Sequence, residues 1–247
     1  MIQNYKMTIS YDGSRYYGWE HQPNTDLTIQ GKIETVLSRM TGAPVEVIGA
    51  GRTDAGVHAR AMVANALFDT DLKTSEIKSY LNNYLPDDIC ITDVREAAER
   101  FHSRYNAVGK TYKYTCYYSD IKPIFQRKYV YRLESFPNIE KMKAAAQLLT
   151  GKNDYAAFCS NPKMKKSTIR IVDSIQIEQH GPYITFTYHG TGFLQHMVRI
   201  LTGTLLDVGY NKISVEDIPS IIDSKDRKKA GPTAPAQGLC LLEVDYN

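Results

Sequence analysis

Apolar and polar positions alternate from the start of the chain, with Tyr5, Met7 and Ile9 set against Lys6, Thr8 and Ser10. That period of two predicts a strand over 5–11 with one buried face. A polar loop containing Trp19 and Pro23 follows, and the spacing then turns helical. Ile29, Ile33, Val36, Leu37 and Met40 share one stripe, with Gly42 and Pro44 as stop signals, so a helix is predicted over 29–40. Val45-Glu46-Val47-Ile48 and the mostly apolar 61–68 read as two strands. Ile77, Tyr80, Leu81 and Tyr84 mark a helix from Thr74 or Ser75 to Pro86, and 89–94 is another strand. The order is β-α-β-β-α-β, a ferredoxin-like arrangement.

The second half repeats this more loosely. It reads as a strand at 110–118, a helix capped by Asn138 that runs to 149 before Gly151, and strands at 169–178 and 183–189. A helix over 193–208 carries Phe193, Met197, Ile200, Leu201 and Leu205 along one face and ends at Gly209. A short helix over 214–224, with Asp217 completing a capping box, precedes a last strand at 239–244. The expected division is 1–105, holding the loop at 49–59, and 106–247. Two such units imply two open sheets that join edge to edge, with a cleft where they meet.

The loop Gly49-Ala50-Gly51-Arg52-Thr53-Asp54-Ala55-Gly56-Val57-His58-Ala59 lies between two predicted strands and concentrates polar chemistry on a tight, glycine-rich scaffold. A plain reading is a turn whose Asp54 bonds its own backbone. A P-loop would need a Gly-Lys-Ser/Thr ending, and this loop has no lysine. A dinucleotide fingerprint would need a third glycine where Asp54 stands and a helix afterwards, whereas a strand follows. Both nucleotide readings fail.

Composition narrows the class. A hydrophobic content of 43% and a charged content of 23% over 247 residues suit a soluble globular protein with a proper core. No apolar run approaches the ~20 residues of a membrane span, and the N-terminus enters strand-like alternation at once, so neither a membrane segment nor a signal peptide is expected. Cys90, Cys116, Cys159 and Cys240 show no paired spacing and read as reduced core or near-core thiols of a cytoplasmic protein. Neither they nor the six histidines have zinc-ligand spacing, so no metal is expected. The net charge of +3 is unevenly spread. Residues 69–99 hold eight acids against three bases, whereas 100–132 hold eight bases against Asp120 alone, together with seven tyrosines. Cations interleaved with flat rings suit RNA, since phosphates attract the first and unstacked bases the second. Lys163-Met164-Lys165-Lys166 with Arg170, and Lys225 with Arg227-Lys228-Lys229, point the same way.

Gly51-Arg52-Thr53-Asp54-Ala55-Gly56-Val57-His58 resembles the signature of the tRNA pseudouridine synthase A (TruA) family. Tyr11-Asp12-Gly13-Ser14-Arg15-Tyr16-Tyr17-Gly18-Trp19 matches that family's N-terminal motif, and Phe101-His102-Ser103-Arg104-Tyr105 its central one. Lys110-Thr111-Tyr112-Lys113-Tyr114, Phe193-Leu194-Gln195-His196-Met197-Val198-Arg199 and residues 234–241 complete the set in the family's order. The resemblance implies an α+β pseudouridine synthase fold. In it, two ferredoxin-like halves join into one central, mostly antiparallel sheet, with helices on one side and a basic RNA-binding cleft on the other. It also implies the isomerisation of uridine to pseudouridine, a redox-neutral reaction that needs no cofactor.

Within that resemblance Asp54 matches the catalytic nucleophile, and Arg199 the arginine that pairs with it. Tyr112 matches a tyrosine that stacks on the target uracil, with a proton-transfer role also open. Tyr114 shares its strand face, and the motif rather than spacing favours Tyr112. Arg52 matches a residue that fills the space left by a flipped base. His58 reads first as a loop-ordering hydrogen bonder and second as a substrate contact. Leu239 and Leu241 match walls of the uracil pocket, although any core contains buried strand leucines. The implied substrate is the anticodon stem-loop of tRNA, at about positions 38, 39 and 40, and the implied assembly is a homodimer. The same chemistry on another RNA such as rRNA, and an RNA-binding module without catalysis, are the alternatives.

Overall fold

The computed structural model describes residues 1–161, 164 and 166–247. Of the lysine cluster at 163–166, Lys163 and Lys165 lie outside the described residues. The chain divides into two compact units, Met1–Val108 with Cys240–Asn247, and Gly109–Leu239.

The first unit runs β1 (Gln3–Tyr11), α1 (Ile29–Thr41), β2 (Val47–Gly49), β3 (His58–Phe68), α2 (Thr74–Tyr84) and β4 (Ile89–Ala97). Its strands lie in the order β4-β1-β3 with β2 also on β3, every pair antiparallel. That is the order a ferredoxin-like unit requires. The predicted alternation of β1 holds, with Tyr5, Met7, Ile9 and Tyr11 buried. Ile9 lies opposite Met62 on one side and Ile91 on the other. α1 is capped by Thr28, whose hydroxyl accepts the Gly31 N–H, and it turns Ile29, Ile33, Val36 and Leu37 inward. Each such buried side chain contributes about 1.5–3 kcal/mol of transfer free energy.

The second unit runs β5 (Ala107–Tyr117), β6 (Tyr131–Arg132), α3 (Ile139–Leu148), β7 (Gly151–Asp154), β8 (Ile169–His180), β9 (Tyr183–Gly190), α4 (Met197–Gly209) and α5 (Ile218–Ser224). Its strand order is β5-β9-β8-β7, antiparallel where β9 meets β5 and β8 and where β7 meets β8, while β6 runs parallel to β5. Neither β6, two residues long, nor β7, the polar Gly-Lys-Asn-Asp, carries a hydrophobic period that sequence reading detects. The helix expected over 193–208 begins only at Met197, because His196 is in the left-handed region at φ 60° and Met197 N–H closes a turn onto Leu194 O. Nor is its apolar stripe confined to one face. Thr202, Gly203 and Thr204 are buried as well, and a Cβ on Gly203 would sit 1.8 Å from Pro232 O. Asn138 caps α3, and the Ser214–Asp217 capping box is present.

The last strand, β10 (Leu239–Tyr246), pairs in parallel with β3, and all but its first residue belongs to the first unit. The four cysteines are not uniformly interior. Cys116 and Cys159 are buried, Cys240 is half-buried and Cys90 is exposed, since Cys90 takes an outward position in the alternation of β4.

A buried polar network fixes the 101–105 motif to the first unit. Asn4 donates to Phe101 O and Ala98 O, Asn65 donates to Asn4 Oδ1, and Ser103 N–H donates to Asn65 Oδ1 at 2.8 Å. Ser103 is fully buried and its hydroxyl donates to Ile48 O, while Tyr246 donates to Ser103 O at 2.6 Å. Lys6 lies over the rings of Phe101 and Tyr246. Arg104 and Tyr105 are thereby held outward on an anchored turn. Asn65→Ala strands the Ser103 N–H and the Asn4 carbonyl in the interior, and each buried unsatisfied group costs about 1–3 kcal/mol. Urea unfolding is expected to show a loss of about 2–5 kcal/mol, and a loss below about 1 kcal/mol contradicts this view of the network.

Candidate active site

Within residues 50–57, between β2 and β3, a turn is closed by Val57 N–H donating to Asp54 O at 3.1 Å. Further partners come from the 11–19 segment and, for Ala50 N–H, from Val63 O at 2.7 Å. Trp19 N–H donates to Thr53 O at 3.0 Å, Gly56 N–H donates to Tyr16 O at 3.3 Å, and the Tyr11 and Thr53 hydroxyls meet at 2.8 Å. This contact is close enough to demand glycine. A Cβ on Gly13 would lie 2.0 Å from Val57 O, and one on Gly18, at φ 92°, 2.6 Å from Thr53 O. Gly49 likewise leaves room for the Trp19 ring, which would lie 2.5 Å from a Cβ there. The 11–19 segment is anchored in turn through Asp88, which accepts from the Tyr16 hydroxyl at 2.6 Å and pairs with Arg15. Burial first, then the Asp88 carboxylate, push the Tyr16 phenol up to about 12. Two motifs far apart in sequence are therefore one structural element.

That element holds three of the sequence-predicted site residues. Asp54 is half-buried at the turn. Arg52 is exposed and pairs with Glu20 at 2.7 Å, a partner that sequence reading missed because nothing in the spacing of Glu20 signals it. His58 is buried, and its Nδ1 accepts the Gly13 N–H at 3.1 Å. The Asp12 carboxylate lies 3.1 Å from the same nitrogen. The contact with Gly13 ties the start of β3 to the 11–19 segment. Leu241 of β10 lies opposite Ala59 and is buried.

Tyr112, Arg199 and Leu239 belong to the second unit. Tyr112 and Tyr114 do share a face of β5, but their surroundings differ. Tyr114 is fully buried and donates to Pro235 O at 2.7 Å. Burial drives its pKa far above the ordinary phenol value against a smaller downward pull from Arg199, so it stays a neutral donor. Tyr112 is 8% exposed, packed edge-on against Phe193 at 5.3 Å between centroids. Arg199 is half-buried in the first turn of α4. Its Nε donates to Ala234 O at 2.7 Å and its backbone O accepts the Ala234 N–H, which fixes the plane of the guanidinium. A cation in a helix's first turn opposes the helix dipole, and that turn holds no acid. Leu239 is buried.

The basic cluster at 225–229 is in part structural. Lys225 pairs with Asp154 at 2.9 Å, and Arg227 is turned onto Ala230 O, Gly231 O and the Thr233 hydroxyl. Among the described residues, no helix is long and apolar enough to cross a membrane.

A family model described as tRNA pseudouridine synthase matches residues 7–106 and 145–247. A Bacillus sp. (strain KSM-64) protein named tRNA pseudouridine synthase A is 45% identical over 245 residues, which cover 99% of this chain and 100% of the relative. A Bacillus cereus protein named tRNA pseudouridine synthase A 2 is 43% identical, and a Clostridium kluyveri tRNA pseudouridine synthase A 42% identical, each over the same shares of the two chains. The chain therefore belongs to the tRNA pseudouridine synthase A family of isomerases.

Proposed function

We propose that this protein isomerises uridine to pseudouridine in the anticodon stem-loop of tRNA, at about positions 38, 39 and 40, with the Asp54 carboxylate as nucleophile. The observation that carries the reading is the aspartate loop itself. Asp54 is half-buried on a turn whose backbone is bonded to the 11–19 segment on both sides, so its position is set before any substrate arrives. Family membership supplies the substrate class.

The chemistry balances without a cofactor. An Asp54 oxygen attacks C1′ of the ribose, and the electron pair of the N1–C1′ bond leaves with the uracil. The base turns until C5 faces C1′. The C5–C1′ bond then forms as the ester to Asp54 breaks, C5 gives up its proton, and N1 ends with one. A carboxylate in a desolvated site tends to take up a proton, and Arg199 supplies the fixed positive charge that opposes this. Its bond to Ala234 O ties the guanidinium to the main chain beside the helix end. Tyr112 provides the flat ring against the uracil. Arg52, exposed on the same loop as Asp54, fills the gap left in the stacked RNA, offsetting part of the few kcal/mol that flipping costs.

Asp54→Asn keeps the shape of the side chain and removes the nucleophile. On unmodified tRNA transcripts it is expected to bind as the wild type does while losing more than about 1,000-fold in rate. Wild-type turnover that leaves the anticodon arm unchanged but modifies another RNA overturns the substrate, and an active Asp54→Asn overturns the nucleophile. Tyr112→Leu is expected to lower kcat/KM by about 5–150-fold, the equivalent of the 1–3 kcal/mol of one base–aromatic stack. Tyr112→Phe keeps the stack, so a comparable loss there assigns the role to the hydroxyl. Tyr114→Phe serves as the control, costing about 1 kcal/mol of stability through the lost bond to Pro235 with no loss of rate.

A further inference from the structure

Between β5 and β6 the chain makes an excursion over 118–130 and returns beside the strand it left, with Tyr117 opposite Arg132. The excursion encloses an open hollow of about 210 Å³. Pro123, Ile124 and Val130 form its apolar lining, and Lys122, Arg127 and Arg132 its charged lining. All three cations are exposed, and among the described residues no acidic side chain lines the hollow. Arg127 is held in place by its Nη1, which donates to Ile124 O. The hollow is also lined by Gln237, two residues before Leu239 and therefore within about 7 Å of it along the chain.

Resting on the proposed function, we infer that this hollow is a second RNA-backbone subsite, taking a phosphate of the tRNA between Lys122, Arg127 and Arg132 with a ribose or base against the apolar lining. Three cations gathered without a counter-charge repel one another, an arrangement that an anion relieves. Exposed lysine and arginine beside apolar surface is the combination that backbone-tracking RNA sites use. A small acidic ligand would satisfy the cations but has no need of a site opening beside the segment that leads to Leu239. A polymer with a phosphate at every nucleotide and a flat base or ribose beside it matches both the cations and the apolar lining.

The test compares wild type with Lys122→Gln/Arg127→Gln/Arg132→Gln for binding to an unmodified tRNA transcript over a range of salt. A matched control, Lys141→Gln/Lys143→Gln/Lys152→Gln, removes equal charge from exposed positions elsewhere in the same unit. The hollow variant is expected to keep the wild-type Tm, to bind about tenfold or more weakly, and to flatten the salt dependence by about one unit of slope per lost phosphate contact. The control is expected to follow wild type closely. Equal binding by the hollow variant and wild type overturns the subsite while leaving the functional reading intact. Failure of wild type to bind tRNA overturns that reading, and the subsite with it. A hollow variant that retains its RNA affinity but changes mass in sedimentation also overturns the proposal. It would assign the hollow to a second copy of the chain, whose acidic 69–99 segment would suit the same cations.

Discussion

The rest of the site depends on how a short polar loop finds partners for its backbone. Several backbone groups of residues 50–57 are bonded outside the loop, and a polar loop without such bonds ordinarily spreads over many conformations. Here Trp19 N–H donates to Thr53 O, Tyr16 O accepts from Gly56 N–H, and the Tyr11 hydroxyl reaches Thr53. The approach is possible only because Gly13 and Gly18 have no side chain to intervene. The consequence is entropic. Ordering that would otherwise be charged to each binding event is completed during folding, where the core of β1, β3, α1 and α2 offsets it. The 11–19 segment thus acts as a scaffold, which accounts for a motif rich in aromatic and glycine residues that carries no group proposed to react.

A similar economy governs the second unit. Arg199 projects from the first turn of α4, where a cation is electrostatically misplaced unless it answers a negative charge. Its carbonyl and its Nε are both tied to Ala234, so the guanidinium is oriented by main chain rather than by neighbouring side chains. Tyr114 is committed to Pro235 O and to the core, and Tyr112, two residues earlier, is the ring left at the boundary. Two tyrosines of like spacing therefore have different surroundings, one meeting a carbonyl in the interior and the other the edge of Phe193.

Much of this was legible in the sequence where a period or a cap is local. The alternation of β1, the stripe of α1, the Asn138 cap and the Ser214–Asp217 box all appear where the pattern puts them. Features set by distant partners were not. β7 is polar and forms because β8 offers it a ladder, and the start of α4 is delayed by the left-handed His196. Cys90 follows the pleat outward despite a composition that suggests the core. Arg227 reads as part of a basic cluster, yet it serves the turn that follows it. The partner of Arg52, Glu20, and the partner of His58, the Gly13 amide, could only be found once the two motifs were seen to touch.

The most direct measurement is amide hydrogen exchange at Gly56 and Trp19 in the free protein, compared between wild type and Gly13→Ala. The account predicts that both amides in the wild type are protected to a degree approaching that of β3, and that Gly13→Ala, which forces a methyl against Val57 O, releases them. Wild-type amides that exchange as fast as an exposed loop would mean that the aspartate turn is not held by the N-terminal segment, and the central claim would fall.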